Sequence, residues 1–126
     1  MVHYICKIDR DVYSCICGAL ATDEVIITDK QIEHSNEHNG AYEKYCESVK
    51  RVIGNPKYIF EDSMPQTGLV VGELDSDYGK SLMVVLRIKT STDPENYKNS
   101  IISCWDISEK RLNRYIKNRK LLYKRA

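Results

Sequence analysis

Two histidines, His34 and His38, lie four residues apart in the stretch TDKQIEHSNEHNGAYEKY, and the chain holds one further histidine, His3. At helical pitch, residues i and i+4 share a face, so two imidazoles there can address one ligand. Histidine exchanges a proton near neutral pH and suits general acid–base work. The same spacing invites a metal reading. Glu37 stands between the two, but the order H-S-N-E-H departs from H-E-x-x-H and a third ligand is missing, so a metalloprotease is disfavoured. An incidental pair on a polar helix face is the plain alternative.

A second group of soft ligands is His3-x-x-Cys6 followed by Cys15-x-Cys17. A hairpin would bring the four together around zinc, yet no second C-x-x-C strengthens the site. The five cysteines, with Cys46 and Cys104, are odd in number and do not outline a disulfide framework. Small buried hydrophobes in a reducing compartment is the preferred account, and no metal or other cofactor is expected.

The third chemical feature is charge. Lys110, Arg111, Arg114, Lys117, Arg119, Lys120, Lys124 and Arg125 fall within the last 17 residues, where no acidic residue occurs. The other 109 residues hold 11 basic against 18 acidic side chains, so the net charge of +1 conceals a basic end on an acidic body. Such a block fits a polyanion-binding surface or a solvated helix face.

The elements that must carry these residues fit one domain of 126 residues with a single core. No apolar run approaches the length of a membrane span, and MVHYICKIDRD lacks the pattern of a secretory signal, so a cytosolic site of action is expected. VHYICKI and VYSCIC read as two short strands around DRD, and EVII as a third short strand. Thr28 and Gln31 then fit a capping box that opens the histidine helix. Asn39-Gly40 interrupts it. Tyr42, Tyr45, Cys46, Val49, Val52 and Ile53 form the stripe of an amphipathic helix, stopped by Gly54-Asn55-Pro56. KYIFED, GLVVGEL, KSLMVVLRIK and NSIISCW read as strands separated by SMPQT, DSDYG and TSTDPENYK, an antiparallel meander. A last helix, capped by Asp106 or Ser108, presents Leu112, Tyr115 and Ile116 as its apolar stripe. The fold class is α+β, with helices on one face of an antiparallel sheet.

The ordered series TD-x-x-IEH-x-x-x-H, amphipathic helix, GNPKYIFED, VVLRIK, NSIIS and a basic helix ending in KLLYKR resembles the phage-associated branch of the barnase/EndoU/colicin/RelE-like (BECR) nucleases. The resemblance runs from about residue 23 to residue 125, leaving residues 1–22 unmatched. It implies a small metal-independent ribonuclease fold, N-terminal helices packed on a twisted four- or five-stranded antiparallel sheet with a basic C-terminal helix. Site residues carried over are His34, His38, Arg87 on the central strand, Ser103 in IIS, and Tyr115 of the closing helix. It further implies a toxin carried by a phage, a mobile element or the C-terminal part of a larger delivery protein, held by an immunity or antitoxin protein.

The chemistry stands beside that resemblance. Cleaving RNA without metal needs a base for the ribose 2′-hydroxyl, a cation at the five-coordinate phosphorus and an acid for the leaving 5′-oxygen. The expectation is that His34 and His38 exchange protons or bind phosphate, Arg87 clamps the transition state, and Ser103 donates a hydroxyl. The products would be a 2′,3′-cyclic phosphate and a 5′-hydroxyl. Lys89, Lys110, Arg111, Arg114, Lys117 and Lys120 are expected to guide RNA, and Trp105, Tyr115 or Tyr123 to stack a base or fill the core. Transfer RNA, ribosome-bound messenger and unstructured RNA fit this surface equally. A monomer is expected, and the alternative function is an inactive RNA- or protein-binding module on the same fold.

Overall fold

In a computed structural model, which describes residues 1–37, 40–74 and 80–126, seven strands form one sheet and four helices flank it. The strands are β1 (Val2–Lys7), β2 (Glu24–Thr28), β3 (Tyr58–Glu61), β4 (Thr67–Glu73), β5 (Lys80–Arg87), β6 (Asn99–Ser108) and β7 (Leu121–Lys124). The helices are α1 (Arg10–Tyr13), α2 (Asp29–Asn36), α3 (Ala41–Gly54) and α4 (Glu109–Asn118). The sheet order is β1-β2-β6-β5-β4-β3-β7. His38 and the DSDYG turn, residues 75–79, lie outside the described residues.

The meander β3 to β6 forms as the β-rich runs and the turn-forming stretches between them predict, each strand antiparallel to the next. Three expectations about the strands are corrected. The sheet has seven strands rather than four or five, because β1 and β2 extend one edge and the short LLYK segment closes the other by pairing with β3. The β2–β6 pair is parallel, Val25 opposite Asn99 and Ile26 opposite Ser100. VYSCIC is not a strand: Asp9 accepts a hydrogen bond from the Asp11 amide at 2.9 Å and caps α1, and Tyr13 is fully buried with its hydroxyl donating to the Ile53 carbonyl at 2.7 Å. The Cys15-x-Cys17 pair therefore sits in a turn, and His3, Cys6, Cys15 and Cys17 do not converge. His3 Nε2 instead meets the Asp29 carboxylate at 2.6 Å.

The helices occupy both faces of the sheet, not one. On the first face α3 lays Tyr45, Val49, Val52 and Ile53 against Ile27, Val70, Leu82, Val84, Leu86 and Ile101. Two glycines on β4 permit close approach on this face: a Cβ on Gly72 would lie 2.8 Å from a methyl of Val52 on α3, and one on Gly68 would lie 2.5 Å from a methyl of Ile16 in the turn after α1. On the second face Leu112 of α4 packs with Phe60, Leu69, Val71, Met83 and Ile107, and Tyr115 borders that cluster. Ser108 caps α4 by accepting from the Arg111 amide at 3.2 Å, while Ile116 stays exposed. No helix among the described residues is long and apolar enough to cross a membrane.

Burial keeps several thiols protonated. It pushes Cys6 and Cys15 up, and Cys104 to about 11, which removes these three as nucleophilic thiolates near neutral pH.

Candidate active site on the open half of the sheet

Helix α4 covers only part of the second face. Cross-strand partners share a face, so the rows can be followed from covered to open. Val71, Met83 and Trp105 pair across β4, β5 and β6 beneath α4; Leu69 and Val85 come next; Thr67, Arg87 and Ser100 lie beyond, where no helix among the described residues packs. This open half holds two depressions that meet at Arg87 and Ile102. One, of about 510 Å³, is lined by Val2, Ile26, Thr28, Gln31, Tyr97, Lys98 and Ser100 as well. The other, of about 390 Å³, adds Met64, Pro65, Gln66, Thr67 and Val85.

Arg87 is fixed from behind. Its Nη2 donates to Asp93 Oδ1 at 2.8 Å, and the Asp93 carboxylate also accepts from the Thr90 amide at 2.9 Å and from Gln66 Nε2 at 3.1 Å. The hydrogen bond from Arg87, followed by that from Thr90, holds the Asp93 carboxyl far below the usual carboxylate range. Gln66 itself adopts a left-handed backbone, φ 61°, rare for a residue with a side chain. That conformation lets its amide reach Asp93 and the Ile88 carbonyl while its own carbonyl accepts from the Ile88 amide at 2.7 Å. A guanidinium carries five N–H groups, so Arg87 keeps donors for a ligand in the depressions after serving Asp93.

Asn99 ties the neighbouring strands together. Fully buried, it donates from Nδ2 to the Thr22 carbonyl at 2.7 Å and accepts at Oδ1 from the Lys89 amide at 2.8 Å. Both ends of one side chain thus hold β2 and the end of β5 in place around the open half. Lys89, two residues past Arg87, directs Nζ to the Glu95 carbonyl at 3.4 Å.

The histidine helix flanks this region. Thr28 Oγ1 accepts from the Gln31 amide at 3.2 Å and Gln31 Oε1 accepts from the Thr28 amide at 3.1 Å, the reciprocal capping box expected from TDKQ. Gln31 lines the larger depression, and His34 follows it by one turn on the same side of α2. His34 is more than half exposed, with Nδ1 3.4 Å from Glu37 Oε2, and is not itself a lining residue. The sequence-derived partner His38 lies outside the described residues.

The remaining expected site residues separate. Ser103 is buried opposite Val85, its hydroxyl without a hydrogen-bond partner among the described residues, and it does not line either depression. The hydroxyl beside Arg87 is that of Ser100, its cross-strand partner. Tyr115 sits on α4 against Phe60, ring centroids 6.0 Å apart, with the Arg119 guanidinium 5.5 Å from its ring. Arg111, Arg114, Tyr115, Asn118 and Arg119 line a separate cavity of about 220 Å³. Among the described residues Arg111, Arg114 and Arg119 meet no carboxylate, whereas Lys120 approaches Glu61 at 3.8 Å and Arg125 holds Glu73 at 2.6 Å. Lys110 and Lys117 are exposed on the same helix. Trp105 and Tyr123 pack against the core.

The sheet thus carries helices on both faces, with half of the second face open, crossed by Arg87 and bordered by the basic helix α4. A family model, phage-Barnase-EndoU-ColicinE5/D-RelE like nuclease 2, matches residues 10–124, and the chain belongs to that family. No curated protein and no solved structure matches it.

Proposed function

We propose that the protein is an endoribonuclease that cleaves by attack of the ribose 2′-hydroxyl on the adjacent phosphodiester, with no step assigned to a metal. The observation that carries this reading is Arg87, held by Asp93 at the junction of two open depressions in a member of a nuclease family. In this mechanism the free N–H groups of Arg87 neutralise charge that develops on the phosphoryl oxygens, and Ser100 supplies a neighbouring hydroxyl. His34 and His38 share the proton transfers, one taking the 2′-proton and the other protonating the 5′-oxygen. The products are a 2′,3′-cyclic phosphate and a 5′-hydroxyl. Ser103 and Tyr115 receive no step, since neither lines the depressions. The toxin role and a cognate immunity or antitoxin protein rest on the resemblance alone.

Two observations favour a second reading, a binding module that has lost catalysis: the charge of Arg87 is already matched by Asp93, and His34 does not line the depressions. Incubation of purified protein with total cellular RNA and excess EDTA separates the two. Cleavage that survives EDTA and yields cyclic phosphate ends supports the enzyme; intact RNA, or cleavage abolished by EDTA, rejects it. His34→Ala should lose roughly 10²- to 10⁴-fold in rate while remaining folded, and parent-level cleavage would remove the histidine from the mechanism. Growth arrest on expression, relieved by a neighbouring gene product, tests the toxin role.

A further inference from the structure

We infer that Gln66 is a positioning residue for Arg87: its side-chain amide holds the Asp93 carboxylate turned so that it meets the guanidinium through one oxygen only, which keeps the other donors of Arg87 free for the substrate phosphodiester. This rests on the nuclease reading of the open half.

The starting observation is a strained backbone. In the turn at Pro65 and Gln66 the second residue has φ 61°, a left-handed value that only Gly40 shares among the described residues. Turns of this kind favour glycine or asparagine after the proline, because a Cβ there crowds the backbone. A glutamine at such a place lowers stability, and outliers of this sort cluster where the side chain serves a site.

The side chain has one way to act on the chemistry. Its two N–H groups are committed, one to the Ile88 carbonyl at 2.9 Å and one to Asp93 Oδ2 at 3.1 Å. Gln66 lines the smaller depression, yet no donor is left for a phosphate oxygen there. Its influence therefore passes through Asp93.

The two carboxylate oxygens of Asp93 have separate duties. Oδ2 accepts from the Thr90 amide at 2.9 Å as well as from Gln66, while Oδ1 accepts from Arg87 Nη2 at 2.8 Å. Arginine and a free carboxylate favour a two-pronged fork, in which both oxygens take parallel N–H groups. Gln66 and Thr90 withhold Oδ2 from that fork. An end-on contact uses one of the five guanidinium N–H groups, whereas a fork would use two and cover a whole edge. The anion that fixes Arg87 is thus kept from quenching it.

Two variants separate the amide from the backbone strain. Gln66→Gly removes the side chain and relieves the left-handed backbone; Gln66→Ala removes the same amide and keeps the strain, so urea denaturation should rank the glycine variant above the alanine one. On a defined RNA oligonucleotide kcat should instead fall in both alike, by up to roughly 10²-fold, the scale for misplacing a reacting group by about 1 Å, with KM little changed. A merely structural side chain would make cleavage follow the stability ranking. Arginine-labelled protein gives a readout apart from activity. The Arg87 guanidinium signals, identified by their loss in Arg87→Lys, should show one N–H protected from exchange with water in the parent and two in both variants, as the fork closes. Parent-level kcat in the folded Gln66→Gly protein, cleavage that tracks stability, or an Arg87 spectrum unchanged from the parent would overturn the inference. If the parent itself leaves RNA intact, the ribonuclease reading fails, and the spectra alone decide whether Gln66 sets the Asp93 contact.

Discussion

The two halves of the sheet's second face are built from the same strands and differ in what lies on them. Under α4, Phe60, Leu69, Val71, Met83, Ile107 and Leu112 exclude water, and Tyr115 seals the margin. A few ångströms along the same strands, at about 3.4 Å per residue, Arg87, Ser100 and Ile102 face open depressions. One half converts apolar area into stability. The other leaves apolar area and donors unspent, and it is there that an arginine is held ready by Asp93 and Gln66. The contrast teaches that the site is defined by where the covering helix stops.

The sharpest way to break this contrast is Arg87→Ala, which should lower RNA cleavage by roughly 10²- to 10³-fold, the scale for loss of one oriented charge-stabilising donor, and should also lower urea stability because the Asp93 carboxylate loses its ion-pair partner. Equal activity in that variant would move the chemistry elsewhere. The mirror experiment is Leu112→Ala beneath the covered half. Urea denaturation should show a loss of about 2–5 kcal/mol from the cavity left in the second cluster, whereas Ile102→Ala on the open half should cost less. The double change Arg111→Ser and Arg114→Ser should reduce the salt dependence of single-strand binding, lowering the slope of log K against log salt by roughly 0.7 for each phosphate contact removed. The smallest effect concerns pH. Because the folded Asp93 carboxyl titrates below its unfolded range of about 3.9, its contribution to stability is present above that pH and lost as pH falls toward the folded value. Asp93→Asn should therefore have a lower Tm than the parent near neutrality, with the gap closing below about pH 4; a gap that widens in acid would contradict the ion pair.

What could be read from the sequence was local. The capping box at Thr28 and Gln31, the α3 stripe and the β-rich runs of β3 to β6 with their turns depend on neighbours within a few residues, and all three elements form. What escaped was long-range. An amphipathic stripe says that α4 is buried on one side, but not on which side of the sheet it lands, and α4 packs opposite α3. The parallel pairing of Val25 with Asn99 joins segments far apart in the chain, and LLYK was hidden in a basic run until β3 offered it an edge. Asp9 was read as turn chemistry when it caps α1.

The site shows the same division. Arg87 came from the resemblance, as the basic residue of the central strand, with Lys89 two residues on as its same-side neighbour. The choice between Ser100 and Ser103 was not, because it turns on a bulge in β6: Leu86 pairs with Ile101 but Val85 with Ser103. With one residue inserted, Ser103 pairs with Val85 and is buried, while Ser100 pairs with Arg87 and lines the larger depression. The TSTDPENYK stretch, read only as a turn, supplies Asp93 and Tyr97. Its clue was an aspartate placed to bond backbone amides in a turn.

Gly68 and Gly72 act as a mechanical gauge for the whole molecule. Each marks a point where the spacing of the first-face layer is set by atoms that are missing, with Ile16, in the turn after α1, and Val52 of α3 resting on bare backbone. A side chain at either point would lift the first-face layer away from β4, the strand that also carries Thr67 to the opposite side. Tolerance to substitution along β4 should accordingly follow clearance on the face away from the site, so that two residues far from any chemistry constrain the strand on which part of the depression is built.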